Sequence, residues 1–218
     1  MARSAAARSA LLDAAERLFA ESGIAQVSDR RVAEAAGNTN HSAVHYYFGG
    51  REGLLTALIT RHQDALEEPR RALFARSDSV LDDVRSLVMP YMDALASLPR
   101  PSWRARFLNQ AINDPATAAL MRRSAGSAPT AASIARSVAA RLGHLDPGVI
   151  AGRASLITLI VATACAEVEA RIERDGQDPR WQSVGDFLSD AITGMLLAPI
   201  SQAGTRNPLT ETPTPSLP

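Results

Sequence analysis

Apolar side chains recur at helical spacing along most of this chain, and this periodicity is what most constrains its fold. Between Ser9 and Gly23, the residues Leu11, Ala15 and Phe19 fall on one face, as in an amphipathic helix. Ala and Leu dominate the apolar residues and lose little on entering a helix. Few segments show the alternation that is typical of a strand. The sequence therefore predicts an all-α fold.

The first 50 residues contain three short helical segments separated by turns that contain glycine. The second segment follows Ser28, which can cap it. The third is expected to begin at Thr39 or Asn40 and to end at Phe48, before a glycine pair. Short helices joined by tight turns predict a helix-turn-helix unit.

Longer helical segments follow this unit. Pro69 is expected to end the fourth helix, and Pro90 to kink the fifth. Residues 114 to about 142 form a loose helical segment with a break near Gly126 and Pro129.

The last two helices, residues 147–174 and 180–198, carry broad apolar stripes. A second copy of the chain would bury them as a four-helix interface with two-fold symmetry. Alternatively, the stripes complete the core of one subunit. We expect a homodimer through these two helices, and disorder in the segment 201–218, which is rich in Pro, Thr and Ser.

Charge and cysteine content limit the function classes. The formal net charge is +0 at pH 7, which argues against a protein that coats nucleic acid through bulk charge. DNA contacts would have to rest on local side chains. The single cysteine, Cys165, excludes an intramolecular disulfide and is expected to be a buried thiol. A cytoplasmic location fits these features.

No exported, membrane or catalytic segment is predicted. Asp13 and Glu16 interrupt the amino terminus where a signal peptide would be apolar. The longest apolar run falls short of the ~20 residues that cross a bilayer. His62 and His144 form no catalytic triad or HExxH motif. We therefore expect neither an enzyme nor a bound cofactor or metal ion.

The first 60 or so residues resemble the DNA-binding region of the TetR family of bacterial transcriptional regulators. The matching features are "LLDAAERLFAESG", "VSDRRVAEAAG", and "VHYYF" followed by "REGLLTAL". The resemblance implies an N-terminal three-helix helix-turn-helix DNA-binding domain at residues 1–50 and a larger helical ligand-binding and dimerisation domain at residues 51–200. It also implies a homodimeric regulator, most often a repressor, that binds a near-palindromic double-stranded DNA operator and is released by a small-molecule effector.

The candidate DNA contacts lie in and around the third helix. Asn40, His41 and Ser42 are expected at the start of a recognition helix, where side chains reach base edges. The family resemblance implies phosphate contacts for the histidine and tyrosines of the helix and for Arg51. The turn holds one residue more than the common family pattern, so that the register of the base contacts is open by one position. The predicted DNA-binding residues are Ser28, Arg30, Arg31, Asn38, Thr39, Asn40, His41, Ser42, His45, Tyr46, Tyr47 and Arg51.

Other interpretations of the same residues are open. His41 and His45 are four residues apart, which is also a metal-ligand spacing, but no third ligand belongs to the pattern. Tyr46 and Tyr47 could be partly core residues. Arg30 and Arg31 could form a solvated face.

Large apolar side chains with a few polar groups in the middle helices suit a lipophilic or aromatic effector. The same side chains at helical spacing are typical of a protein core. A helical protein-interaction scaffold and a DNA-binding regulator without an effector are alternatives, and the absence of a closed cavity among residues 80–142 would favour the latter. The predicted effector-binding residues are Met89, Tyr91, Met92, Trp103, Phe107, Asn109 and Met121.

Overall fold

The computed structural model describes residues 2–123 and 128–200. Within these ranges the chain forms helices and no strand, which confirms the predicted all-α fold. The helices are α1 (Ala2–Ser22), α2 (Asp29–Ala35), α3 (Ala43–Phe48), α4 (Arg51–Phe74), α5 (Val80–Ala96), α6 (Arg104–Asn113), α7 (Pro115–Arg123), α8 (Pro129–Arg141), α9 (Pro147–Asp175) and α10 (Trp181–Leu197).

Two of the predicted helix starts coincide with side-chain caps. The Oγ of Ser28 accepts a hydrogen bond from the backbone N–H of Arg31 at 3.2 Å, so that it caps α2. Asp114 Oδ1 accepts from the backbone N–H of Thr117 at 2.8 Å, at the start of α7. Both bonds satisfy donors that a helix leaves unpaired at its first turn.

The predicted start of the third helix at Thr39 or Asn40 is wrong, because α3 begins at Ala43. Two consecutive turns occupy the preceding residues. Asn38 Oδ1 accepts from the N–H of Asn40 at 3.0 Å, and Asn40 Oδ1 accepts from the N–H of Ser42 at 2.9 Å. Asparagine side chains that bond the backbone two residues ahead compete with helix formation. The two asparagines therefore delay the helix.

The prediction that Pro69 ends the fourth helix is also wrong, because α4 continues to Phe74. Pro69 lies on the exposed face of α4, as does Ala65 four residues before it. The carbonyl that the proline leaves without an intrahelical donor belongs to Ala65 and can be hydrated there. Pro90 also lies inside a helix, and α5 continues past it to Ala96.

The segment predicted as loosely helical forms α7 and α8, which end at Arg123 and begin at Pro129. The predicted break at Gly126 lies outside the described residues. The segment 201–218, for which disorder was predicted, lies outside them as well.

Buried apolar side chains form two clusters. The first joins α1, α2 and α3 to the beginning of α4 and includes Phe107 of α6 and Leu120 of α7. The rings of Phe19 and Phe107 stack with their centroids 6.1 Å apart. The second cluster lies among α4, α5, α8, α9 and α10. The helix-turn-helix segment is thus packed on the rest of the chain, and the domain division at residue 50 stays a prediction.

Cys165 is buried in the second cluster, as predicted. Burial, assisted by the nearby charge of Glu169, raises the pKa of its thiol to about 12. The thiol is therefore protonated at neutral pH and is a poor nucleophile.

The helix α9 is 29 residues long and is apolar enough, by length and composition, to cross a membrane. The helix reaches this length because it extends on both sides of its longest apolar run, which is itself shorter than a bilayer span. Core helices of proteins in water pass the same test, so this is weak evidence for a membrane span. However, only 22% of the apolar window is buried within the chain. Much of the apolar surface of α9 is therefore left uncovered by this subunit.

Candidate functional site

The turn between α2 and α3 presents polar side chains to solvent. Thr39, Asn40, His41 and Ser42 are all exposed, and Asn38 is half-buried. The hydrogen bonds of the two asparagines fix the backbone of this turn. The turn is thus an ordered and polar projection beside α3.

A small network of charges lies beside this turn. Arg30 Nε donates to Glu34 Oε1 at 2.8 Å, and His41 Nδ1 lies 3.7 Å from the same oxygen. The hydrogen bond from Arg30 is the main cause that lowers the pKa of Glu34. Arg31 is exposed, and no acidic side chain of the described residues pairs with it. Of the two arginines, Arg31 has the uncompensated charge.

The helix α3 is anchored on one side and exposed on the other. Ala43 and Val44 are buried in the first cluster. His45 is exposed, and Tyr46 has 76% of its surface exposed. Tyr47 is half-buried against the cluster and meets Tyr46 edge to face, with the ring centroids 4.9 Å apart. The alternative core role of Tyr47 thus has a packing contact in its favour.

Arg51 is directed into the protein rather than away from it. Its Nη1 donates to the carbonyl of Val27 at 2.7 Å and to Asp29 Oδ1 at 3.1 Å, and its Nη2 donates to the carbonyl of Ile24. Its guanidinium also lies over the ring of Phe19, 4.9 Å from the centroid. These contacts use the donors that the predicted phosphate contact would need. We therefore assign Arg51 an internal role.

The junction between α3 and α4 leaves no space for a side chain at Gly53. A Cβ atom built at Gly53 would lie 1.7 Å from the carbonyl oxygen of Phe48. The close approach of the two helices therefore requires glycine at this position.

A cavity of about 390 Å³, partly open to solvent, lies among helices of the region predicted to bind the effector. Its walls come from α4, α5, α6, α7, α8 and α9, with Ala128 before α8. Most of the lining is apolar, and the polar lining residues are His62, Gln63, Arg70, Tyr91 and Thr158. An apolar cavity with a few polar groups has the character of a small-molecule site.

Of the predicted effector residues, Tyr91 and Met121 line this cavity. The others lie elsewhere, and each has a packing or hydrogen-bonding contact. Phe107 stacks on Phe19 in the first cluster, and Trp103 packs against that cluster. Asn109 Oδ1 accepts from the hydroxyl of Thr163 at 3.3 Å. Met89 and Met92 face Gly185 at the contact between α5 and α10.

Four polar atoms of the cavity residues are buried without a hydrogen-bond partner in the protein. These atoms are both ring nitrogens of His62, the hydroxyl oxygen of Tyr91 and the Nε of Arg70. Burial raises the pKa of Tyr91 well above its ordinary value. Burial also lowers the pKa of Arg70, although the charge of Glu67 opposes this effect. Both groups are hydrogen-bond donors in their usual protonation states.

His62 joins the cavity to the first helix. It lines the cavity and is 4% exposed, and its Nε2 lies 3.3 Å from Oε2 of Glu16 on α1. Arg61 pairs with the same carboxylate, and Arg104 Nε lies 3.6 Å from its Oε1. The cluster therefore connects α1, α4 and α6.

The pKa values of this pair follow from burial and charge. Burial lowers the pKa of His62, and the contact with Glu16 opposes this only in part. Burial raises the pKa of Glu16, but His62, Arg61 and Arg104 together outweigh burial and hold the pKa below its ordinary value. The imidazole is therefore neutral at pH 7, and the carboxylate is charged.

Sequence reasoning missed the contribution of α4 to the cavity. Ile59, His62, Gln63, Leu66 and Arg70 all line it, and their spacing of three and four residues places them on one helical face. That spacing is visible in the sequence. Three polar residues, His62, Gln63 and Arg70, on the same helical face as Ile59 and Leu66 are the signal that could have identified this wall.

The outer faces of α9 and α10 keep large apolar side chains in solvent. Phe187 is 72% exposed, Leu197 is 53% exposed and Leu159 is 42% exposed. Other members of the predicted stripes, such as Leu188 and Ile192, are buried within the subunit. The stripes thus serve the subunit core in part and leave an apolar surface uncovered.

In the part of the chain that the structure describes, no group of three or more His, Cys, Asp or Glu side chains is placed to hold a metal ion.

The family model described as "Bacterial regulatory proteins, tetR family" matches residues 11–58. This range covers most of α1, all of α2 and α3, and the start of α4. No curated protein sequence matches the chain.

Solved structures share the fold over most of the chain. A TetR family transcription regulator from Marinobacter aquaeolei VT8 has a TM-score of 0.60 and 17% identity, and the match covers 87% of this chain and 96% of that one. A putative tetR family transcription regulator from Shewanella sp. PV-4 has a TM-score of 0.59 and 18% identity, with 86% and 95% coverage. A putative TetR-family transcriptional regulator from Rhodococcus sp. has a TM-score of 0.52 and 19% identity, with 86% and 98% coverage.

Proposed function

Because residues 11–58 match the family model of the bacterial regulatory proteins of the tetR family, we propose that the chain is a member of this family and a cytoplasmic, homodimeric transcriptional repressor. It binds a near-palindromic DNA operator and is released by a small-molecule effector. The observation that carries this proposal is the ordered, exposed polar turn at residues 38–42 next to a firmly packed α3.

The side chains of the turn are the proposed base contacts. Thr39, Asn40, His41 and Ser42 combine donors and acceptors, and all are exposed. Such side chains can distinguish base pairs in the major groove. Arg31, His45 and Tyr46 are exposed beside them and are the proposed phosphate contacts. Because the net charge of the whole chain is +0, binding depends on this local arrangement.

The proposed dimer interface lies on the outer faces of α9 and α10. The exposed Phe187 and Leu159, and the low burial of the apolar window of α9, supply the surface that a second copy would cover. A two-fold dimer would present two α3 helices to half-sites about 34 Å apart, which is one turn of DNA. This geometry accounts for the expected palindrome.

The proposed effector site is the cavity, and α4 is the proposed connection to DNA binding. This helix approaches α3 closely at Gly53 and contributes His62 to the cavity wall. We consider two conformations of the dimer that differ in where α4 lies. A ligand that binds one of these conformations more tightly increases its population. A coupling of ~2 kcal/mol is enough to change DNA affinity about 30-fold.

The test is to capture genomic fragments with the purified protein at two salt concentrations and to sequence what is retained. We expect enrichment of one palindromic site, with an affinity that falls as salt rises. The variant His41→Ala should lose roughly tenfold or more in affinity for that site. Arg136→Ala, an exposed arginine on α8, is the matched control and should bind normally.

A folded dimer that retains no specific site would overturn this proposal. In that case a protein-interaction scaffold becomes the better interpretation, and His41→Ala should then leave partner binding unchanged.

A further inference from the structure

We infer that the cavity binds a small apolar acid, with its carboxylate held by Arg70 and Tyr91 and its hydrocarbon or aromatic body among the apolar walls. This inference rests on the proposed effector function and specifies the chemical class of the ligand. It follows from the walls, the unpartnered polar atoms, the charge and the size of the cavity.

The walls provide a site for an apolar body. Side chains from five helices line the cavity with carbon atoms only, among them Ile59, Leu66, Val88, Leu108, Ile157 and Val161. A hydrocarbon chain or ring placed among them loses its contact with water, which favours binding in proportion to the area covered.

Two of the unpartnered polar atoms, on Tyr91 and Arg70, belong to hydrogen-bond donors that lack an acceptor. Tyr91 is 7% exposed, and its hydroxyl has no protein partner. The Nε of Arg70 is buried and also lacks one. A buried donor without an acceptor costs free energy, so that a ligand which supplies acceptor oxygens removes this cost. A carboxylate has two such oxygens and forms strong, charge-assisted hydrogen bonds with arginine.

The charge of the lining selects an anion over a cation. Among the described residues no Asp or Glu lines the cavity, whereas Arg70 does. Glu67 lies near Arg70 on α4, but its Oε1 accepts from the N–H of Thr130 at 2.9 Å and from the hydroxyl of Thr130. No ion pair within 4.0 Å joins Glu67 to Arg70 in the described part of the chain. An ammonium group would therefore meet a guanidinium without a compensating carboxylate in the cavity wall.

The volume suits a small ligand. The cavity measures about 390 Å³ and is partly open to solvent, which is at the lower end of the range for small-molecule sites. A ligand with about a dozen non-hydrogen atoms fits this space, and decanoate is a probe of that size.

The experiment is isothermal titration calorimetry of the full-length protein with decanoate, decylamine and decan-1-ol, each below the concentration at which it aggregates. The three probes share one chain and differ in head group. We expect decanoate to bind at least about tenfold more tightly than decylamine, since one charge-assisted hydrogen bond accounts for this difference. Decan-1-ol should lie between them.

Two variants locate the head group. Arg70→Met should weaken decanoate about tenfold and leave decan-1-ol nearly unchanged, and Tyr91→Phe should weaken decanoate several-fold. The matched control is Arg71→Met, because Arg71 is the next residue on α4, is exposed and pairs with Glu68 outside the cavity. Circular dichroism melting checks that each variant is folded.

Equal binding of decanoate and decylamine, or decanoate binding that Arg70→Met leaves unchanged, would overturn the inference. Failure of all three probes to bind would overturn it too, while the genomic capture experiment decides DNA binding separately. If decanoate binds through Arg70 but no DNA site is captured, the proposed regulator fails and the ligand class stands.

Discussion

The imidazole of His62 lies 3.3 Å from the carboxylate of Glu16, measured between Nε2 and Oε2. One residue lines the cavity, and the other lies on the first helix of the helix-turn-helix segment. Arg61 and Arg104 face the same carboxylate from α4 and α6. This buried contact joins the cavity wall to α1, in addition to the packing of His62 on Phe107, whose ring stacks on Phe19 of α1.

From the pKa values of His62 and Glu16, we predict that the free energy of unfolding decreases in acid. Burial lowers the pKa of His62 below 6.5, and the pKa of Glu16 lies below 4.5. Each group thus binds fewer protons in the folded state than in the unfolded state, so the free energy of unfolding decreases as pH falls. The contribution of His62 is lost from about pH 6.5 downward, and that of Glu16 from about pH 4.5 downward.

Urea denaturation between pH 4 and pH 8 measures this dependence. In the variant His62→Gln, the free energy of unfolding should depend less on pH between pH 6.5 and the folded-state pKa of His62, because the titrating group is gone. His144→Gln, at an exposed histidine, should leave the slope as it is. A His62→Gln protein with the same slope as the parent would show that His62 is not the titrating group.

Arg51 is predicted to stabilise the fold rather than to bind phosphate. Its donors satisfy the carbonyls of Val27 and Ile24 and the carboxylate of Asp29. Arg51→Met should reduce the free energy of unfolding by about 2 kcal/mol, since the acceptors lose their partners. Arg51→Lys should not restore it, because an ammonium cannot reproduce the fork of donors.

Urea denaturation of Arg51→Met and of Arg31→Met measures the free energy of unfolding of each variant, and the two values are compared. Arg31 is exposed, and its replacement should change the free energy of unfolding by less than ~0.5 kcal/mol. A fully stable Arg51→Met protein that has lost DNA affinity would instead favour the phosphate contact.

Features of the fold that depend on interactions within one helix could be predicted from the sequence, whereas features that depend on tertiary packing could not. The apolar periodicity of α1 and the cap at Ser28 act within one helix, and both are readable from the sequence. The start of α3 was missed because Asn38 and Asn40 bond the turn instead of capping the helix. Each asparagine can either cap a helix or bond the backbone of a turn, and the packing of Ala43 and its neighbours determines which of the two forms.

The candidate site depends more strongly on tertiary contacts. The inward position of Arg51 is determined by carbonyls more than twenty residues earlier, which no local pattern shows. Tyr91 and Met92 were both predicted as effector contacts because they are large side chains of the middle helices, but Tyr91 lines the cavity, whereas Met92 packs on Gly185 of α10. Helical periodicity indicates which side chains face inward, and it does not show which of them face an empty space.

Glu34 is predicted to weaken DNA binding. It pairs with Arg30 at 2.8 Å and lies 3.7 Å from His41, so its charge opposes an approaching phosphate. Glu34→Gln should raise DNA affinity several-fold at low salt, and the gain should shrink as salt rises. Fluorescence anisotropy with a DNA duplex at two salt concentrations measures this. Glu68→Gln, at an exposed residue of α4, is the control and should have no effect, and equal gains in both variants would assign the change to net charge alone.

Gly53→Ala is predicted to disrupt the junction of α3 and α4. The added Cβ would lie 1.7 Å from the carbonyl oxygen of Phe48, so the backbone must move. We expect a loss of at least about 2 kcal/mol in the free energy of unfolding. Ala65→Gly, at an exposed position of the same helix, should cost only about 1 kcal/mol through helix propensity. Equal losses in the two variants would mean that the junction adapts to the methyl group.

Phe187 is predicted to lie in the dimer interface. It is 72% exposed in the single chain, and a large aromatic side chain in water is typical of a surface that a partner covers. Phe187→Arg should leave the subunit folded, because the side chain is not part of its core, and should raise the dimer dissociation constant about 30-fold or more through the loss of ~2 kcal/mol.

Light scattering after size-exclusion chromatography over a dilution series gives the mass of the Phe187→Arg protein. Arg136→Ala on α8 is the control for a surface change away from α10. A Phe187→Arg protein that stays dimeric at every concentration would place the interface elsewhere, whereas a folded monomer that no longer captures the palindromic site would connect this surface to operator binding.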